Sequence, residues 1–366
     1  MNLKSSPRRA LAWGSGVNST NLALKCLLSC AVVGWVYFVG FVHQPSLSSE
    51  GAGAGAALLR GTANNLQTTQ VLSEGVLSRA TDAGGVEQKG GISGHFSHLI
   101  QNDFDTKHLI VVAGHAVVRM NQLMSADRDD SAWWLLQYQK QQGYPAILSS
   151  HIKRGLSLLA ADPQALLLFS GGQTRRDVGP ISEAASYYYL AEAKGWVPAL
   201  DPASAAAASA ASARAHREPR ERIFLEEYAR DSLENLLFSM CRYREVVGSY
   251  PRHVTMVGFD FKGERFKRLH AAAVGLSASS FTYEGLSSGD TFRQVEAEQG
   301  EQAAVLAFTA DPYACSPELH GKEELRNPFR RSIPYLEACP EIKDLLLWCG
   351  PAPYPGLAQL PWAQAV

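Results

Sequence analysis

Five short apolar runs, each stopped by glycine or charge and separated by helix-length amphipathic segments, limit the fold of this chain more than any other feature. They are Leu109 to Val112 ahead of Gly114, Ala165 to Phe169 ahead of Gly171, Ile223 to Leu225, Val254 to Phe259, and Ser280 to Tyr283. Their brevity and their β-branched and leucine content fit strands. The intervals carry helix signals. HIKRGLSLLAADP precedes the second run, and Ile181 to Lys194 follows it, with Gly195 as the stop. In DSLENLLFSMCRYREVVG, Asp231 stands three residues before Glu234, a capping-box spacing, and Leu233, Leu236, Leu237, Met240 and Val247 share a face ahead of Gly248. GERFKRLHAAAVG leads into the last run. Repeated units of this kind predict an α/β fold: a mostly parallel sheet with helices on both faces, its ligands beyond the carboxyl ends of the strands.

The second strand end is the most explicit. In LLLFSGGQTRRDVGPISEAASYYYLAEAKG, Ser170 is followed by Gly171 and Gly172, and a helix is entered at Pro180 to Ser182. Gly171 and Gly172 are expected to turn the backbone sharply and bare their N–H groups. The helix start should aim its free amides and positive dipole end to the same side. An anionic or polar ligand suits such a place, whereas the plain alternative is a tight connection with no ligand. Other strand ends add Gly114 and His115; Glu226, Glu227, Arg230, Asp231, Ser232, Glu234 and Asn235; and Asp260, Lys262, Glu264 and Arg265. Loop solvation explains some of these, but their gathering at one edge suits a polar ligand with an anionic portion.

Composition narrows the class. The chain has 366 residues, 46% of them hydrophobic, and a formal net charge of -1, so it lacks the surplus of cations that a nucleic-acid partner demands. Of six cysteines, Cys26 and Cys30 lie in an apolar run, and Cys241, Cys315, Cys339 and Cys349 show no CxxC pairing. Zinc is therefore not expected, and two disulfides among the last four stay open.

Residues 22–42, LALKCLLSCAVVGWVYFVGFV, contain one charge, Lys25, and are long enough to span a bilayer. Lys4, Arg8 and Arg9 precede the run and the first acidic residue is Glu50, so the pattern predicts a type II signal-anchor with the remainder across an endomembrane. The long run and the lack of a small-x-small site weigh against a cleaved signal peptide; the acid-free start also fits an organellar presequence. No glycosylation sequon follows the run. Residues 43–105, with GAGAGAALL, read as a flexible stalk, and 201–222 as a low-complexity insertion that the fold should survive losing. The expected layout is thus a tail (1–21), an anchor (22–42), a stalk (43–105), an α/β domain (106–285) and a C-terminal extension packing on it (286–366).

The order of Gly114, FSGG, SEA, EEYARDSLENL and VTMVGFDFKGERF resembles the SanA/YdcF/ElyC-like family, a domain of unknown function, and its eukaryotic branch in particular. The resemblance covers residues 109–285. It implies a Rossmann-like domain, often behind one membrane anchor, with S-adenosylmethionine or another nucleotide-like molecule as the cofactor or ligand class, and links to envelope polysaccharide processes in bacterial relatives. Positions matching the family pattern are Gly114, Ser170, Gly171, Gly172, Glu183, Glu226, Ser232, Glu234, Asn235 and Arg265. Two departures stand out: Gly114-His115-Ala116 replaces a glycine-rich first turn, and Lys262 replaces the usual histidine before the basic residue.

Two function classes follow. One is a membrane-tethered transferase or hydrolase on a phosphate-bearing or glycan-related substrate. There Glu183 or Glu226 would act as general base or metal ligand, and Lys262 and Arg265 would stabilise developing charge. The other is a module that binds a small anionic molecule through Gly114, His115, Ser170, Gly171, Gly172, Ser232, Glu234 and Asn235 without chemistry. No G-x-S-x-G or Walker-type motif decides between them. Each residue also has a plain role: Glu183, Asp231 and Glu234 as helix-end charges, His115 as a structural histidine, Asn235 as a loop tie, and Tyr187 to Tyr189 as packing.

Overall fold

The computed structural model describes residues 106–199, 217–287 and 295–363. The expected tail, anchor and stalk and most of the low-complexity insertion lie outside the described residues. Among the described residues no helix is long and apolar enough to cross a membrane.

The strands are β1 (His108–Ala113), β2 (Val117–Val118), β3 (Trp133–Trp134), β4 (Ala165–Ser170), β5 (Ile223–Glu226), β6 (His253–Phe259) and β7 (Phe281–Leu286). Five of them form a parallel sheet in the order β5-β4-β1-β6-β7; β2 and β3 pair separately as an antiparallel hairpin. Each of the five expected runs is therefore a strand. The hairpin was not legible because two-residue strands are too short to show a period.

Side chains alternate across the sheet. Ile110, Val112, Leu167, Phe169, Val257 and Phe259 lie in a core with α1 (Tyr144–Ala161) and α2 (Glu183–Ala193). Leu109, Val111, Leu166, Leu168, Val254 and Met256 lie in a core with α3 (Ser232–Val247) and the helical stretch α4, which runs through Gly263–Arg265, a π-turn at Phe266–His270 and Ala271–Ala273. Both faces are buried, which is why the strands read as continuous apolar runs. The fold is α/β and Rossmann-like. The chain moves outward from β1 through β4 to β5, then returns past β1 to β6, so the order reverses between β1 and β6. Crevices in such sheets open at that reversal, outside the carboxyl ends.

Beyond β7 follow α5 (Val295–Ala310), α6 (Pro317–Leu325), α7 (Tyr335–Ala338) and α8 (Lys343–Leu346). Phe308, Leu319, Tyr335, Ile342, Leu345, Leu360 and Trp362 are buried in the core of the α3 face. Cys241 of α3 is joined to Cys339, and Cys315 to Cys349. Closing loops of 98 and 34 residues in sequence stabilises the folded chain by about 3–5 kcal/mol each on the chain-entropy argument.

One boundary shifts. The expected insertion ran to residue 222, yet Pro219–Arg222 is an ordered turn. The buried Arg222 guanidinium donates to Asp162 O and Ala165 O at 2.8 Å and to Leu159 O at 3.2 Å, tying the end of α1 to β4. A deletion the fold tolerates must spare this turn.

Candidate active site

The two adjacent glycines after β4 do something other than expected. Gly171 N–H donates to Glu226 O at 3.0 Å and Gly172 N–H to Ala229 O at 2.7 Å, so neither amide is bared. The start of α2 is closed as well. Glu183 N–H and Ala184 N–H donate to Gly172 O and Gly171 O, both at 3.1 Å, and Ala185 N–H donates to Ser182 Oγ at 2.9 Å. These bonds consume the orphan donors that would have held an anion. The glycines are needed for close approach instead. A Cβ on Gly114 would lie 2.6 Å from Glu183 Oε2 and 2.9 Å from Ser170 O, and one on Gly171, whose φ is +152°, 2.8 Å from Glu183 Oε2. On Gly172 it would lie 2.8 Å from Ala229 O.

Ser170, Glu226 and Asn235 come together, but around one another. Glu226 is fully buried and accepts from Ser170 Oγ at 2.7 Å, Tyr228 N–H at 2.7 Å, Ala229 N–H at 3.1 Å and the Tyr335 hydroxyl at 3.1 Å. Asn235 Nδ2 donates to Ser170 Oγ at 2.9 Å. Burial pushes Glu226 up to about 7 despite these donors. The expected general-base role of Glu226 does not fit this enclosure, because a base must reach the proton it takes. The knot fastens β4, β5 and the C-terminal extension. Tyr335 was invisible from sequence because it lies 109 residues from Glu226.

Ser232 and Arg265 form a second buried network. Arg265 grips Glu301 with two bonds of 2.7 Å and also donates to Ser232 Oγ; Ser232 Oγ lies 2.8 Å from His270 Nε2. With Glu301 as counter-ion, Arg265 is largely neutralised rather than free for a ligand. Glu234 belongs to a third group. Arg230 pairs with Glu234 and, at 3.0 Å, with Glu323, while Asp231 Oδ1 caps α3 by accepting from Glu234 N–H at 2.8 Å. The oxygens of Asp231, Glu234 and Glu323 lie within 4.8 Å of one another, a set able to hold a cation, but Arg230 already bridges two of them. Burial and the neighbouring carboxylates raise Glu323 above the usual carboxylate range.

The open constellation lies at the strand-order reversal. His115 follows β1, and Lys262 ends the short turn Asp260–Lys262 after β6. Both are half-buried, and Lys262 Nζ lies 3.2 Å from His115 Nδ1. His115 stacks on Tyr144 and meets Phe259 edge-on, and Lys262 Nζ sits 5.3 Å from the centre of the Phe259 ring. The other imidazole nitrogen, Nε2, lies 3.1 Å from Gln139 Nε2, and Gln139 Oε1 accepts from Leu136 N–H at 2.6 Å. Glu183 reaches the same area, and among the described residues only Thr174 Oγ1 donates to its carboxylate, at 2.7 Å.

Electrostatics bind this group together. Burial first, then Lys262, holds His115 well below its usual value and so neutral. Burial first, then Arg265, brings Lys262 down to about 7. Burial raises Glu183, opposed by Thr174 and by the charges of Arg326, Lys262 and Arg175. Among the described residues no carboxylate lies within 4.0 Å of Lys262 or Arg326; Arg326 donates to Arg230 O at 2.9 Å, while Arg175 is spent on Asp177. Arg326, Gln139 and Thr174 were missed from sequence. Only Thr174, inside SGGQT, carried a local signal.

No family model and no solved structure matches the chain significantly. The uncharacterized protein YOR238W of Saccharomyces cerevisiae is 31% identical over 216 residues, which cover 51% of this chain and 71% of that protein. Half of one chain and most of the other align at an identity that separate ancestry does not produce, and the chain therefore belongs to the same family as YOR238W.

Proposed function

We propose that the protein binds a polar, anionic small molecule at the carboxyl edge of its sheet, in the crevice between the ends of β1 and β6. The observation that carries this is Arg326, which lacks a carboxylate partner among the described residues and acts on the same Glu183 as Lys262, an amine brought down to about 7 that a bound anion would recharge. An anion supplies the counter-charge that the fold withholds. Nucleotides, S-adenosylmethionine and sugar phosphates are the ligand classes to try, in keeping with the resemblance to SanA/YdcF/ElyC-like proteins. Glu183, more basic than an ordinary carboxylate because it is buried, favours the second reading, a transferase or hydrolase using it as acid or base.

Thermal-shift titration of the full chain against these compounds and inorganic phosphate tests the proposal. A saturable rise in Tm that K262M and R326A both abolish is expected; a ligand at about a hundred times its Kd stabilises by about 2.7 kcal/mol. No rise with any compound, or an undiminished rise in both variants, overturns it.

The reading includes a membrane tether at residues 22–42, with the α/β domain on the non-cytosolic side. Two disulfides, one joining α3 to the C-terminal extension and one within that extension, support it, since such bonds persist in oxidising compartments. Protease added to intact microsomes or organelles should spare the domain, and its digestion there would overturn the orientation.

A further inference from the structure

We propose that Lys262 acts as a nucleophilic amine toward an aldehyde or ketone carbonyl of the bound anion, forming an imine at the carboxyl edge of the sheet. The inference rests on the anion-binding reading but makes a separate chemical claim. Its basis is a chain of hydrogen bonds with fixed directions. Leu136 N–H can only donate, so the Gln139 atom that it meets at 2.6 Å is the oxygen, and Nε2 of that amide is the atom facing His115. Gln139 therefore donates to His115 Nε2, and a neutral His115 carries its one proton on Nδ1. That N–H points at Lys262 Nζ, 3.2 Å away. An ammonium there would set donor against donor; an unprotonated amine accepts the bond.

The surroundings agree. The groups that act on Lys262 are Arg265 from α4, Glu301 from α5, Arg326 after α6 and Glu183 from α2; His115 faces it from the loop after β1, with the buried His151 of α1 behind. Of the charges Arg265 acts most strongly against an ammonium, an effect reduced by its ion pair with Glu301, which itself favours the ammonium. Against this, the Phe259 ring, whose centre lies 5.3 Å from Nζ, attracts an ammonium, though it accepts no conventional hydrogen bond from it. Burial adds to the effect of Arg265, and an amine kept unprotonated near neutral pH by desolvation and a neighbouring cation is the activated form of a lysine nucleophile.

The step balances. The Lys262 lone pair adds to the carbonyl carbon while the C=O π pair goes to oxygen; one amine proton passes to that oxygen, and a carbinolamine results. The Glu183 carboxyl, whose burial raises its affinity for a proton, acts in its protonated form and gives that proton to the hydroxyl, which leaves as water. The nitrogen lone pair closes the C=N bond, so a protonated imine and a Glu183 carboxylate remain as an ion pair. No oxidant or further reactant is required.

Pyridoxal 5′-phosphate, which carries both an aldehyde and a phosphate, and pyridoxal, which lacks the phosphate, are the probes. The full chain is incubated with each between pH 6 and 10, reduced with borohydride, and mapped by peptide mass spectrometry. The expected result is stoichiometric labelling of Lys262 at pH 7, at least about tenfold faster than at the exposed Lys107, Lys140, Lys267 and Lys343. Labelling of Lys262 only in step with those lysines, or not at all, overturns the proposal. If pyridoxal and its phosphate label Lys262 equally and inorganic phosphate does not compete, the amine chemistry stands and the anion site falls. If phosphate raises Tm in a Lys262-dependent way with no label at pH 7, the anion site stands and the nucleophile falls.

Discussion

The two halves of the carboxyl edge treat buried charge in opposite ways. At β4 and β5, Glu226 is surrounded by four donor groups and sealed by Tyr335. At β1 and β6, Lys262 is half-buried with a neutral imidazole for company. The first half is saturated, so it holds the fold together and has nothing left to offer a ligand. The second is under-partnered, and an unmet electrostatic demand is what a binding site consists of before its ligand arrives. Saturation, rather than the presence of charged residues, separates scaffold from site here.

The largest effect should come from breaking the saturated half. E226A strands a buried hydroxyl, two backbone amides and a tyrosine, each costing about 1–3 kcal/mol when unmet, less whatever local rearrangement recovers. A net loss of about 3–5 kcal/mol and a fall in Tm of roughly 10 °C are expected. The gap has a pH sign. Glu226 binds its proton more tightly folded than unfolded, so its contribution is full below pH 4.5 and is lost as pH rises through about 7. Wild type and E226A should therefore converge between pH 5 and pH 8 in thermal melts. A gap that widens over that range, or an unchanged Tm, would show that the knot is not what fastens β4 and β5.

A smaller effect is expected where the two halves touch. Gly114 belongs to the open half, yet its N–H donates to Ser170 O at 2.7 Å and its missing side chain makes room for Glu183. G114A forces Glu183 or the β4 backbone aside, at about 1–3 kcal/mol for overpacking. Denaturant melts should register that loss, and the labelling of Lys262 by pyridoxal should change with it, because Glu183 is displaced. Wild-type stability together with wild-type labelling would mean that the halves are not coupled through this contact. A valine at Gly172 would run into Ala229 O and act on stability first, not on ligand access.

These contrasts explain what was legible in the sequence. The strands, the Asp231 cap and the glycine stops at Gly195 and Gly248, with φ of +64° and +82°, are local and followed from spacing alone. The double glycine reads as a place for a ligand, yet its amides are taken by backbone carbonyls: a motif shows that backbone must pass closely, but not whether another backbone or a ligand fills the space. Glu226 and Lys262 looked alike as charges after strands. Their difference lies in partners contributed from Gln139, Glu301, Arg326 and Tyr335, whose distance along the chain hides them from any local pattern.

The finest test bears on the open half alone. Gln139 is buried and touches neither the proposed ligand nor the reacting amine; it fixes which imidazole nitrogen carries the proton. Q139L keeps the side-chain volume and removes that instruction. Leu136 N–H loses its acceptor, at about 1 kcal/mol, a change of only a few degrees in Tm. His115 becomes free to move its proton to Nε2 and to present Nδ1 as an acceptor, to which an ammonium donates more strongly than an amine. The protonated form of Lys262 gains, so the midpoint of its pyridoxal labelling should move upward from about 7 by up to roughly one pH unit. The histidine ring 15N shifts should report the change of tautomer in the same sample. A loss of stability with no movement of the labelling midpoint would make Gln139 a structural residue and would break the link between the His115 tautomer and the state of the lysine.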